Sequence, residues 1–224
     1  MKLSYFGHSA FGITTDSGTR LLIDPYLDDN PLCPVKANQE EAEFIVITHA
    51  HSDHLGDTLK IARSDTTVIC VAELAVYLRE KKLKTHAMQI GGEHSFSFGS
   101  LRLVGAQHGS MTPDGRYAGL AAGAIITIDG ICLYHMGDTG IFGDLKLIGE
   151  RHKIDCLLIP IGGNYTMDPV DAALAVSWIK PELAIPMHFN TFPLIKQDPT
   201  RFAELCKTHG IKTKIMEPGA ELSL

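Results

Sequence analysis

No run of this chain is long and apolar enough to cross a membrane, and Met1-Lys2-Leu3-Ser4-Tyr5 carries no apolar signal core. There is no Cys-x-x-Cys pair. The five cysteines, Cys33, Cys70, Cys132, Cys156 and Cys206, are odd in number and scattered. Cys70, Cys132 and Cys156 lie inside apolar runs, where a thiol acts as a small hydrophobe. A disulfide framework is excluded as the organising device, and a reducing, cytoplasmic compartment is expected. A basic excess is lacking too: 20 Lys and Arg face 26 Asp and Glu, a formal net charge of −6. That balance argues against a nucleic-acid partner, although a local basic groove is compatible with it. Internal repeats, low-complexity tracts and Gly/Ser linkers are absent. At 224 residues and 45% hydrophobic, the chain has the composition of a soluble globular protein, and one domain over 1–224 is expected.

What is present begins as strands. Lys2 to Phe6, Ala10 to Thr15 and Arg20 to Asp24 are short apolar and β-branched runs, and Asp16-Ser17-Gly18 is a hairpin turn between the last two. Leu27 to Gln39, with Pro31 and Pro34, reads as a loop, and Phe44 to Thr48 as a strand. Asp57 to Arg63 and Ala72 to Lys82 read as helices flanking a strand over Thr67 to Val71. Further strands are predicted at Phe96 to Phe98, Leu101 to Gly105, Ala124 to Ile128, Ile131 to His135, Cys156 to Ile161 and Leu183 to Met187. Asp129-Gly130 marks a hairpin turn. Asp168-Pro169 and Asp198-Pro199 start two late helices: Asp caps, and Pro sits where its missing N–H does no harm. Gly210 is the expected stop of the second. Two sheets packed face to face with helices outside fit this pattern.

The most informative stretch is His49-Ala50-His51-Ser52-Asp53-His54, three imidazoles and a carboxylate in six residues directly after an apolar strand. Imidazole and carboxylate suit zinc and its neighbours. His49 and His51 alternate by two, so an extended backbone points both to one side. Asp53 and His54 need the chain to turn, which aims them at a second point and favours two metals over one. Two adjacent metals activate water and hold both ends of the breaking bond. Further ligands are sought where apolar strands give way to loops. His108 follows Leu101 to Gln107, Asp138 follows Ile131 to Gly137, and His188 follows Leu183 to Met187. Loops at sheet edges are where a rigid scaffold carries chemistry.

With His49-x-His51-x-Asp53-His54, then His108, Asp138 and His188 in that order, the sequence resembles the metallo-β-lactamase-fold hydrolases. Gly7-His8-Ser9 and Leu22-Ile23-Asp24-Pro25 sharpen the resemblance toward a compact branch called metal-dependent hydrolases. That branch is similar to the ascorbate-6-phosphate lactonases and, more distantly, to the N-acylphosphatidylethanolamine phospholipases. The resemblance implies an α/β fold, a four-layered αβ/βα sandwich with its site along one edge. It implies one metal on His49, His51 and His108, a second on Asp53, His54 and His188, and Asp138 bridging them. The usual glycine-rich continuation after the hexapeptide is reduced here to Leu55-Gly56-Asp57. The expected cofactors are two divalent cations, of zinc type, with manganese or iron as alternatives. The expected chemistry is attack by a bridging hydroxide on a small-molecule ester, lactone or phosphorylated substrate. Asp53 and Asp138 are the candidate catalytic carboxylates, and either could orient the nucleophile or relay its proton.

His8 and Asn164 are the candidate substrate contacts; His8 reads either as a strand-end histidine bonded to backbone or, as the resemblance favours, as a residue that supports a ligand or touches substrate. Asn164 belongs to the lip Gly162-Gly163-Asn164-Tyr165-Thr166 after a buried strand. Asp24 reads either as a turn residue or as the group orienting a ligand imidazole. Gln107, Thr139 and Phe189 neighbour ligands. His86, His94, His152 and His209 read as structural, and so does His135 despite its closeness to Asp138. The expected partner is a small-molecule substrate, and a homo-oligomer is compatible with the sequence. Rivals are a phosphodiesterase or nuclease of the same fold and a non-catalytic metal-dependent binding protein. An iron redox enzyme is disfavoured, because the branch in question has a carboxylate where this chain has His51.

Overall fold

The computed structural model describes residues 1–224. Its elements run in chain order as β1 (Lys2–Gly7), β2 (Ala10–Thr14), β3 (Arg20–Ile23), β4 (Phe44–Val46), α1 (Ser52–Leu55), α2 (Thr58–Ile61), β5 (Thr67–Val71), α3 (Ala72–Glu80) and β6 (Thr85–Met88). The second half adds β7 (Glu93–Phe96), β8 (Gly99–Gly105), β9 (Ala122–Ile128), β10 (Ile131–His135), α4 (Leu145–Arg151), β11 (Cys156–Pro160), α5 (Pro169–Ile179), β12 (Leu183–Met187), α6 (Pro199–Thr208), β13 (Lys212–Thr213) and β14 (Glu221–Ser223). The strands form two seven-stranded sheets, ordered β14-β1-β2-β3-β4-β5-β6 and β13-β12-β11-β10-β9-β8-β7.

Alternating side chains sort the layers, because successive residues of a strand face opposite sides. In β11, Cys156 and Leu158 join a central cluster of 42 buried residues shared by the two sheets. Leu157 and Ile159 join a second cluster of 18, which includes Leu145 of α4, Ala172 and Val176 of α5, and Phe202 and Cys206 of α6. The central cluster also takes in Leu74 and Leu78 of α3. The expected four-layered αβ/βα arrangement is the one observed. Because both faces of the parallel strands are buried, β11 and β12 read as unbroken apolar runs.

The helix starts follow the capping argument. Asp168 accepts hydrogen bonds from the amides of Val170 and Asp171, and Asp198 from that of Thr200. Other expectations shift. The hexapeptide turns by forming α1, with His51 just before its first residue. The helix expected over Asp57 to Arg63 shrinks to α2, and Asp57 Oδ2 instead accepts from the amides of Leu27 and Asp28, ordering that loop. The strand expected at Phe96 to Phe98 lies earlier, as β7, with the turn at Ser97 and Phe98. His86 and His94, expected in linking sequence, lie on the sheet-edge strands β6 and β7 with ring centroids 4.3 Å apart. All five cysteines are free. No helix is long and apolar enough to cross a membrane.

Strand direction brings the chemistry to one edge. β8 and β10 both run antiparallel to β9, so they share a direction. β11 is parallel to β10, and β12 to β11. In the other sheet β1 and β3 both oppose β2, and β4 is parallel to β3. The loops after β1, β3, β4, β8, β10, β11 and β12 carry His8, Asp24, the hexapeptide, His108, Asp138, the Gly162 loop and His188 in turn.

Candidate metal centre

Three of these loops open on residues in the left-handed backbone region: His8 at φ 57°, Asp24 at φ 47° and His188 at φ 56°. Side chains other than glycine rarely adopt it, at a cost of roughly 1–3 kcal/mol each. The surrounding structure holds them there. The amide of His188 donates to the carbonyl of His8 at 2.8 Å, tying the two sheets together at the site. Gly162 packs against the same loop, and a Cβ there would meet the His188 carbonyl oxygen at 2.3 Å.

The side chains form two adjoining groups. In the first, His49 Nε2 lies 3.0 Å from His51 Nδ1, and His108 Nε2 lies 3.3 Å from the same atom. Nitrogens around a tetrahedral zinc, at about 2.0–2.1 Å each, sit about 3.3 Å apart. In the second, His54, His188, Asp53 and His8 bring their ligating atoms within 4.8 Å of one another. Asp138 stands between the groups. Its Oδ1 is 3.2 Å from His54 Nε2, while its Oδ2 is 2.9 Å from His188 Nε2 and 3.6 Å from His108 Nε2.

Hydrogen bonds behind this layer fix the tautomers. Asp24 is fully buried. Its Oδ1 accepts from the Thr48 amide at 2.8 Å, and its Oδ2 from the Thr48 hydroxyl at 2.6 Å. Oδ2 also lies 2.7 Å from His54 Nδ1, which donates to it. The even choice between turn residue and orienting group resolves as both, since Asp24 also has the positive φ of a turn. The Thr48 hydroxyl, having given its proton to Asp24, accepts from His49 Nδ1 at 3.1 Å. These bonds leave Nε2 as the ring nitrogen that His49 and His54 turn toward the centre. His54 Nε2, Asp138 Oδ1 and His188 Nε2 are buried and make no aligned hydrogen bond. Buried polar atoms without aligned partners are costly, and imidazole nitrogens gathered around a buried carboxylate are an arrangement that a cation satisfies.

The charges agree. Burial disfavours a charged His188, but Asp138 and Asp53 outweigh it and push its pKa up to about 9. His54 is opposed by burial in the same way and held well above the usual imidazole range by Asp138 and Asp24. Asp138 is penalised by burial yet held well below the carboxylate range by His188 and His54. Burial, then His54, pushes His49 well down, and burial first lowers His108. His54 and His188 are thus pushed up while His49 and His108 are pushed down.

His8 is fully buried. Its Nδ1 is 2.9 Å from the Thr191 hydroxyl and its Nε2 is 3.1 Å from Asp53 Oδ2. Burial, then His188, pushes its pKa down to about 4. It thus lies behind Asp53, and it is not among the residues that line the cavity. Thr191 escaped the sequence reading, since a lone threonine four residues after an apolar strand carries no signal. In the loop of Asn164 the amide of Thr166 donates to the Gly163 carbonyl, a tight turn in which Asn164 is exposed and the adjoining Tyr165 lines the cavity. Gln107, Thr139 and Phe189 do not line it. His135 is structural, as expected: its Nε2 donates to the Ser9 carbonyl, and its Nδ1 accepts from the Gly137 amide.

The cavity, of about 440 Å³, is lined by His51, Asp53, His108, Asp138 and His188. Tyr26, Ser52, Tyr165, Phe192 and Leu194 complete it. An open cavity over clustered imidazoles and carboxylates is the form of a catalytic metal site, whereas structural sites are closed by protein ligands.

Known proteins share this architecture. Residues 2–188 match the beta-lactamase superfamily domain. The UPF0173 metal-dependent hydrolase of Bacillus cytotoxicus is 44% identical, with both chains covered at 100%. That of Desulfitobacterium hafniense is 44% identical over 99% of this chain and 98% of its own. Among solved structures, Igni18, a metallo hydrolase from the archaeon Ignicoccus hospitalis, superposes with a TM-score of 0.90. It is 38% identical and covers 100% of this chain and 98% of its own. The chain belongs to the beta-lactamase superfamily and, within it, to the UPF0173 metal-dependent hydrolases.

Proposed function

We propose that this metal-dependent hydrolase works with two divalent cations of zinc type and cleaves small-molecule esters or lactones. His49, His51 and His108 would hold one cation, and Asp53, His54 and His188 the other, with Asp138 shared. When bound, such cations supply Lewis acidity and lower the pKa of water toward neutrality. The chain does the rest. Asp24 and Thr48 keep the Nε2 lone pairs of His54 and His49 turned inward. His8 and Thr191 fix the Asp53 carboxylate. Asp53 and Asp138, both lining the cavity, are the groups placed to orient a nucleophile and accept its proton.

The carrying observation is the buried crowding of two imidazoles on one carboxylate, Asp138 Oδ1 lying 3.2 Å from His54 Nε2 and Oδ2 lying 2.9 Å from His188 Nε2, with no aligned hydrogen bond at His54 Nε2, Asp138 Oδ1 or His188 Nε2. A phosphodiesterase or nuclease is less well supported, since no Lys or Arg lines the cavity. The test is turnover on ester and lactone panels before and after chelation. Activity should vanish with metal and return with Zn²⁺ or Mn²⁺, and rates that survive full demetallation overturn the proposal.

A further inference from the structure

The cavity lining is of two kinds. Five residues bring imidazole or carboxylate; the rest are Tyr26, Tyr165, Phe192 and Leu194, with Ser52 the one small polar residue. The Tyr26 hydroxyl donates to the Asp29 carbonyl at 2.7 Å, so it is already engaged. The Tyr26 and Phe192 rings sit edge-on to His8, 5.7 and 5.4 Å away between centroids, which fixes them against the Asp53 side. Tyr165 and Leu194 are 51% and 64% exposed. Leu194 is not on a frayed segment. It belongs to the short 3-10 turn Pro193–Ile195, whose Ile195 is fully buried and whose Ile195 carbonyl accepts from the Asn190 amide. A large apolar side chain is thus held open to water beside a polar centre.

We infer that the substrate carries an uncharged apolar group, seated on Tyr26, Tyr165, Phe192 and Leu194 while the bond to be cleaved faces the metal ligands. This rests on the hydrolase reading above and narrows it. A charged group remote from the metals would be desolvated against apolar walls without a counter-ion, which is costly. The sugar-acid phosphate lactones suggested by sequence resemblance are therefore disfavoured in favour of neutral esters or lactones with alkyl or aryl substituents.

The test uses zinc-loaded protein and calorimetric binding of acetohydroxamate, octanohydroxamate and adipic acid monohydroxamate, with octanamide as a neutral ligand that needs no metal. Octanohydroxamate should bind tighter than acetohydroxamate by about fourfold for each methylene buried. The carboxylate-ended compound should gain little over acetohydroxamate. Leu194→Ser with Tyr165→Ser should erase most of the octyl gain while zinc content stays that of the wild type. Equal or tighter binding of the carboxylate-ended compound overturns the inference. So does an octyl gain that survives the double substitution, or failure of both octyl compounds to bind. If octanamide binds and loses affinity in the double variant, but octanohydroxamate binds no tighter than octanamide and acetohydroxamate does not bind, the apolar wall stands and the metal-centre proposal fails.

Discussion

Replacing Asp24 by Asn removes one charge and keeps the shape. Asn tolerates the left-handed backbone at this position, φ 47°, better than most residues do, so backbone strain is not the variable. The carboxylate now accepts three hydrogen bonds, two from Thr48 and one from His54. An amide has one oxygen and one NH2 group. If the NH2 faces Thr48, a buried donor meets the Thr48 amide donor. If it faces His54, the imidazole must accept at Nδ1 and carry its proton on Nε2, the atom that lies 3.2 Å from Asp138 Oδ1. Either way a buried group is left unsatisfied at roughly 1–3 kcal/mol, about the 10–100-fold loss in metal affinity that follows disruption of groups behind a ligand. Competition with a chromophoric chelator measures that affinity, and circular dichroism of the metal-free variant checks the fold. Wild-type affinity at both sites in a folded Asp24→Asn protein would refute the reasoning.

Metal binding should weaken as pH falls and release protons, because the carboxylates hold His54 and His188 protonated in the metal-free protein; calorimetry in buffers of different ionisation enthalpy counts them. His188, raised from about 6.5 unfolded to about 9 folded, stabilises the metal-free fold fully below pH ~6.5 and loses that contribution as pH rises through 9. The metal-free melting temperature should drop across that window, and that of the loaded protein should drop less. Gly162→Ala drives a Cβ to 2.3 Å from the His188 carbonyl. It should lower metal content at the His188 side, read by elemental analysis, along with the melting temperature. Asp168→Ala removes the cap of α5. It should cost about 1 kcal/mol, some 2–4 °C in melting temperature for a chain this size, with metal content unchanged.

The strands that flank the site were legible because they are buried on both faces and read as plain apolar runs, as Cys156 to Pro160 and Leu183 to Met187 do. The residues that meet at the centre were legible because each follows a strand with an apolar core, although β8 before His108 includes Arg102 and is only partly buried. What escaped has weak local signal. The edge strand β6 is mostly half-buried and mixes Thr85 and His86 with Ala87 and Met88. β14 pairs with β1 from the far end of the chain, Leu3 opposite Leu222, a contact no local pattern announces. α4 starts at Asp144 with no side-chain capping bond and buries only Leu145, so neither its start nor its face stood out. The apolar cavity wall was missed because its residues come from separate loops and form a surface only when folded. The contact of His8 with Thr191, 183 residues away, is likewise one that no local pattern announces.

Diffraction from zinc-loaded crystals at the zinc absorption edge tests the centre most directly. Two anomalous peaks are expected, one bonded to His49, His51 and His108, the other to Asp53, His54 and His188, with Asp138 reaching both. A map with no peak among these side chains, or with peaks only elsewhere, would contradict the account.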